Sequence, residues 1–159
     1  MAFAGAAIGC LFLPPLSDYY GRWPVFLFTM VFQLPIYLMI ALTSQLWLIY
    51  VGVFWMGVLL IGRFVTGFTL LTELVPDKNA SFAGTALMVG DSAATLYISF
   101  YFRYITPYQN PIVWFGFLLN IVTLIATFWI PESPRWLVSI GDYEGAKRCY
   151  QRIANLNRV

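Results

Sequence analysis

The sequence contains no histidine and few charges: only 10% of its 159 residues are aspartate, glutamate, lysine or arginine. An ordinary soluble domain carries about 25%. The two cysteines, Cys10 and Cys149, lie in an apolar segment and in a polar tail, so neither a disulfide framework nor a zinc site is predicted. The net charge of +2 is too small to indicate a nucleic-acid surface. We therefore expect no cofactor, no metal ion and no nucleic-acid partner.

Apolar residues are abundant, because hydrophobic side chains make up 60% of the sequence and aromatic side chains 19%. A membrane-spanning helix needs about 20 predominantly apolar residues. Several runs of about that length follow one another along the chain, separated by proline, glycine and charged residues. The composition predicts an integral, multi-pass membrane protein whose first partner is the lipid bilayer, without indicating which membrane.

Five apolar runs predict five membrane helices, which we place at residues 1–13, 25–43, 48–74, 82–102 and 112–130. The first run is shorter than a full span and is predicted to stop at Pro14 and Pro15, because proline removes a helix hydrogen bond. It is interpreted as a helix whose start has been lost, or one that begins at Met1 in a shortened gene. Only helices and closed barrels satisfy the backbone in lipid, so the predicted fold class is an all-α bundle.

The C-terminal segment differs in kind, because residues 142–159 are polar and basic. Its apolar side chains recur at helical spacing, at Tyr143, Ala146, Tyr150, Ile153 and Ala154. This pattern predicts an amphipathic helix outside the membrane, packed beneath its own bundle in preference to binding lipid. The chain is therefore predicted to divide into a transmembrane bundle, residues 1–137, and a cytoplasmic amphipathic helix, residues 138–159.

Orientation is predicted from the lysines and arginines of the short loops, which concentrate on the cytoplasmic side. One side carries nearly all of them: Arg22, Lys78, Arg135, Lys147, Arg148, Arg152 and Arg158. The other side carries Arg103 alone. Loops 17–24 and 76–80 and the C-terminal segment are thus predicted to be cytoplasmic.

Two ionisable residues, Arg63 and Asp91, lie deep inside apolar runs on either side of the turn near Lys78. At about 1.5 Å per residue, each lies on the order of 20 Å from that turn, close to the membrane midplane. A charge at this depth is costly and usually faces a partner or a polar cavity. Two interpretations remain open: the residues line a substrate path, or they form a buried ion pair that ties adjacent helices.

Three stretches of the sequence resemble the major facilitator superfamily, in particular its sugar-porter and organic-ion branches. They are residues 131–137 (PESPRWL), residues 16–22 (LSDYYGR), and the sequence from Glu73 to Pro76 followed by Gly84. The resemblance implies that the chain covers helices two to six of the family's N-terminal half, with helix one and the second half missing. It also implies a cytoplasmic charge latch formed by Asp18, Arg22, Glu73, Glu132 and Arg135.

The sequence departs from the family pattern at several positions. Pro14 replaces a usual glycine, and Tyr19, Trp23, Val53 and Ala80 stand where the family carries basic residues. The acidic residues of the latch therefore have fewer basic partners than the resemblance implies.

The resemblance implies a truncated solute transporter for an organic ion or a sugar-like solute. The chain would then act with a partner chain or with the missing second half of the transporter. The alternative is a degenerate, transporter-derived structural subunit of a larger membrane complex. No nucleophile–base set or phosphate-binding loop is evident, so we do not expect an enzyme.

Overall fold

The computed structural model describes residues 1–105, 108 and 110–157. The described residues form seven helices and their connections: α1 (Ala2–Tyr20), α2 (Arg22–Leu42), α3 (Leu46–Leu74), α4 (Asp77–Tyr104), α5 (Asn110–Thr127), α6 (Pro134–Ser139) and α7 (Tyr143–Asn157). The predicted all-α membrane fold is confirmed. Arg158, one of the basic residues from which the cytoplasmic side is predicted, lies outside the described residues.

Four helices in the described part of the chain are long and apolar enough to cross a membrane, namely α1, α2, α3 and α5. The remaining predicted span corresponds to α4, whose 28 residues are also long enough to cross. Its sequence is less apolar, because it includes Asp91 and several serines and threonines. The protein is thus an integral membrane protein with at least four spans.

The predicted end of the first helix is wrong, because α1 continues through Pro14 and Pro15 to Tyr20. Packing against a neighbouring helix offsets the lost backbone hydrogen bonds, since Leu13 and Ser17 on either side of the prolines are buried. The predicted loop 17–24 is correspondingly reduced to Gly21, which alone separates α1 from α2. Its φ of 109° is in the region that favours glycine.

Glycines allow α1 and α3 to pack with their backbones in contact. A Cβ atom at Gly9 would overlap the carbonyl oxygen of Val58, and one at Gly5 would overlap that of Phe54. These two glycines and Leu13 lie four residues apart on the buried face of α1. α3 forms the centre of the bundle, because it packs against α1, α2 and α4, while α2 also packs against α5.

Beyond α5 the chain turns sharply before the C-terminal helices. Ser133 accepts a hydrogen bond on its side chain from the Trp136 backbone N–H at 3.2 Å, and Pro134 follows at the first position of α6. α7 packs through Ala146 and Cys149, which are buried. α7 therefore lies against α6 and the residues that follow α5. The short α6 spans the predicted boundary after residue 137.

Candidate functional site

Arg22 joins two acidic residues from different helices. Its Nη2 atom lies 3.1 Å from Asp18 Oδ1 at the end of α1. Its Nε atom lies 3.3 Å from Glu73 Oε2, close to the end of α3. The Arg22 and Glu73 side chains are only 15% and 13% exposed, whereas Asp18 is 71% exposed. Because a shielded pair is screened less than an exposed one, the contact with Glu73 is the stronger link.

Glu132 caps the start of α2 from a distant part of the sequence. Its Oε1 atom accepts hydrogen bonds from the backbone N–H groups of Arg22 at 3.1 Å and Trp23 at 3.0 Å. The same atom accepts from Ser133 N–H at 2.8 Å. Gly21 at the N-cap has no side chain to satisfy these donors, and a carboxylate is favourable at a helix N-terminus. Asp18, Arg22, Glu73 and Glu132 are called the Arg22 cluster below.

Two indole groups connect the surroundings of the Arg22 cluster. Trp136 Nε1 donates to the Asp18 carbonyl at 2.9 Å, and Trp23 Nε1 donates to the Thr127 carbonyl at 3.0 Å. These contacts join α1 to α6 and α2 to the end of α5. Arg135 is exposed in the first turn of α6, three residues after Glu132. The sequence analysis missed both indole contacts, although Trp136 lies within one family-like motif and Trp23 directly follows another.

The second candidate site is a cavity of about 670 Å³ between α2, α3, α4 and α5. Most of its lining is apolar, with aromatic rings contributed by α2 and α3. Arg63 and Asp91 both line it, from α3 and α4 respectively. The two residues that the sequence placed at midplane depth therefore share one cavity.

A network of polar side chains surrounds Arg63 in this cavity. Arg63 Nη1 donates to Gln33 Oε1 at 3.0 Å, and Asn120 Nδ2 donates to the same oxygen at 3.3 Å. Gln33 Nε2 in turn donates to the Tyr37 hydroxyl at 3.4 Å. The Asn120 amide thus makes a hydrogen bond between α5 and α2. Asn120 is only 3% exposed, and its Oδ1 accepts no hydrogen bond from the described residues.

Arg63 and Asp91 share the cavity, but neither of them forms a salt bridge with another described residue. Arg63 hydrogen-bonds to the neutral Gln33 instead. Asp91 is exposed on α4. Equal depth on adjacent helices did not bring the side chains together, because depth does not fix the rotation of each helix about its axis. The direct ion pair of the second interpretation is therefore absent, and the two charges remain available to a third group.

Gln33 is the residue of this site that the sequence analysis missed. Its signal was a large amide side chain within the otherwise apolar run before Pro35. A polar side chain in a membrane helix usually faces the bundle interior. Gln33 does so and is 3% exposed.

Comparison with known proteins gives one consistent result. The family described as "Sugar (and other) transporter" matches residues 1–159. The "Solute carrier family 22 member 15-like" protein of Xenopus laevis is 30% identical over 99% of this chain and 32% of its own length. "Hexose transporter HXT8" of Saccharomyces cerevisiae is 28% identical over 96% of this chain and 28% of its own length.

A bacterial relative is also named as a transporter. "Major myo-inositol transporter IolT" of Bacillus subtilis is 29% identical over 98% of this chain and 34% of its own length. The chain thus spans between 28% and 34% of the length of these curated relatives.

Proposed function

The chain belongs to the sugar (and other) transporter family of major facilitator proteins, and from this premise we propose that it forms part of a membrane solute transporter. The observation that carries the proposal is the cavity of about 670 Å³ that contains Arg63 and Asp91. Two opposite charges that do not pair with each other require other polar partners at midplane depth. A polar solute provides such partners as it passes through the cavity.

The proposed solute is a small organic ion or a sugar-like molecule, and the polar groups of the cavity are suited to either. Arg63 donates to a hydroxyl or anionic oxygen, since its guanidinium group has more N–H donors than the single bond to Gln33 uses. Asp91 accepts from a hydroxyl group or attracts a cation. The apolar walls lower the local dielectric constant and so strengthen these contacts.

The proposed transporter has a second wall opposite this bundle. Major facilitator proteins move their substrates by rocking two helix bundles around a site near the midplane. The described residues provide one such bundle. We therefore assign the opposite wall to a second bundle, supplied by a partner chain or by another part of the same protein.

The proposed role of the Arg22 cluster is that of a cytoplasmic latch. It links the ends of α1 and α3 to the start of α2 and to the segment before α6. Its contacts of 3.0–3.4 Å join separate elements, so a small relative movement of these elements breaks them. The distribution of lysines and arginines supports a cytoplasmic position. Arg135 is assigned to the same face by its place three residues after Glu132.

Solute binding tests the proposal on the whole chain in lipid nanodiscs. Thermal unfolding is measured with glucose, myo-inositol or tetraethylammonium, on wild type and on Arg63→Gln. At ten times the dissociation constant, binding stabilises the folded state by about 1.4 kcal/mol. For a domain of this size the unfolding midpoint then rises by about 3–6 °C. Arg63→Gln should abolish this rise.

The matched control is Arg103→Gln, which removes the same charge from the exposed end of α4. It should retain the full solute-dependent rise. Folded variants that all fail to respond to any of the three solutes contradict the proposal. That outcome supports a structural subunit derived from a transporter.

A further inference from the structure

Two arginines of α7 lie beside the point where α5 ends. Arg152 Nη2 donates to the backbone carbonyl of Trp129 at 3.3 Å. Trp129 is two residues beyond Thr127, the last residue of the membrane-spanning α5, and its side chain is 68% exposed. Tryptophan at the end of a span is typical of the membrane–water interface. The hydrogen bond therefore places Arg152 at the depth of the phospholipid headgroups.

The second arginine, Arg148, lies one helical turn before Arg152 on the same edge of α7. Both side chains are exposed. The helix cannot turn this edge away, because Ala146 and Cys149 on another face are buried. In addition, Cys149 Sγ donates to the Glu132 carbonyl at 3.2 Å. The fold thus presents the two arginines on one edge of α7, and it holds Arg152 against the backbone of Trp129, whose indole ring is exposed.

Neither guanidinium group has a carboxylate partner within the described part of the chain. Arg148 Nε donates to the Glu144 backbone carbonyl at 3.3 Å, one turn back on its own helix. Arg152 bonds to the Trp129 carbonyl. Since each guanidinium has five N–H donors, most of them remain available to a ligand.

We propose that Arg148, Arg152 and Trp129 form a binding site for the headgroup of an anionic phospholipid. A guanidinium group matches the geometry of a phosphate through paired N–H···O bonds. The indole ring occupies the interfacial layer beside the same lipid. The occupant is a membrane lipid and not a free phosphate, because the site adjoins the last turn of a membrane-spanning helix.

The charge of two arginines is sufficient here because of where the fold holds them. A segment recruited from solution to anionic lipid needs clusters of about 4–8 basic residues. α7 is already held at the bilayer by its packing and its hydrogen bonds to the residues after α5. Its encounter with a headgroup is therefore effectively intramolecular, which raises the local lipid concentration.

Native mass spectrometry of the detergent-solubilised chain tests the site. The chain is titrated with an equimolar mixture of dioleoyl phosphatidylglycerol and dioleoyl phosphatidylcholine. The wild-type protein should retain phosphatidylglycerol in preference to phosphatidylcholine, and added salt should weaken this preference. Replacing one arginine with glutamine should reduce the apparent affinity about fivefold, and replacing both about 25-fold. The double Arg→Lys variant keeps the charge and should lose less than the double Arg→Gln variant.

Lys147→Gln is the matched control, because it removes one exposed positive charge from the same helix on a different edge. It should retain wild-type binding. Arg148→Gln provides the variant that folds in any case, since Arg148 donates its hydrogen bond to the Glu144 carbonyl of its own helix. Three results overturn the proposal: no preference for phosphatidylglycerol, equal losses in Lys147→Gln and Arg148→Gln, or displacement of the lipid by equimolar inorganic phosphate.

Discussion

Replacing Glu132 should destabilise the protein more than its partly exposed position suggests. In Glu132→Ala the backbone N–H groups of Arg22 and Trp23 lose the acceptor they share, now at 3.1 and 3.0 Å. The neighbouring Gly21 cannot replace that acceptor. Hydrogen bonds to a charged group contribute about 1.5–3 kcal/mol each, and a lost helix cap costs about 1 kcal/mol. Because these contributions overlap and water reaches the site, we expect the free energy of unfolding to fall by about 2–4 kcal/mol.

The corresponding fall in the thermal unfolding midpoint is about 4–16 °C for a protein of this length. Glu132→Gln should cost less, about 1–2 kcal/mol, because the amide oxygen still accepts from both N–H groups but no longer carries charge. The assay is thermal unfolding of the whole chain in nanodiscs, followed by circular dichroism. The unfolding midpoint should be highest for wild type, lower for Glu132→Gln and lowest for Glu132→Ala.

Glu144→Ala provides the comparison, because it removes an exposed carboxylate from the first turn of α7. Its effect should stay within about 0.5 kcal/mol, as for most exposed substitutions. If Glu132→Ala is no more destabilising than Glu144→Ala, the capping role derived from the structure is wrong.

Further substitutions test the packing, the thiol and the polar network. Gly9→Ala should cost about 1–3 kcal/mol of unfolding free energy, because its Cβ overlaps the backbone of α3, whereas Gly90→Ala, with no atom within 4 Å, should be neutral or stabilising. Burial raises the pKa of the Cys149 thiol. In a Cys10→Ser variant, maleimide should therefore label Cys149 slowly at neutral pH, and fast labelling should need a more alkaline pH than an ordinary thiol requires. Rapid labelling at neutral pH contradicts this expectation. Gln33→Leu removes the acceptor of Arg63, so the unfolding free energy should fall by about 1–3 kcal/mol; an unchanged midpoint shows that the bond contributes nothing.

The membrane helices could be predicted from the sequence because lipid imposes a strict requirement on them. The predicted span 48–74 differs by two residues at its start from α3 (Leu46–Leu74). The prediction failed where tertiary packing overrides a local rule, as at Pro14 and Pro15. There the buried face of α1 maintains the helix that proline alone would end.

The contacts within the two candidate sites were only partly predictable. Motif resemblance indicated that Arg22 and Glu73 belong together, and the structure places their side chains 3.3 Å apart. The backbone-capping role of Glu132 could not be predicted, because it depends on a chain reversal that brings residues of distant sequence number together. Likewise, counting residues from a turn gives the depth of Arg63 but not the direction of its side chain.

Accessibility of the Arg63–Asp91 cavity to water tests the central claim most directly. Ala94 lines this cavity on α4, whereas Val89, five residues earlier on the same helix, is exposed outside it. Each is replaced by cysteine in a variant that lacks Cys10 and Cys149, and labelling by a membrane-impermeant thiol reagent is followed in nanodiscs. We expect rapid labelling of Ala94→Cys, slowed by a bound solute, and little labelling of Val89→Cys. Equal labelling of the two positions, or none at Ala94→Cys, would contradict a solute-accessible cavity.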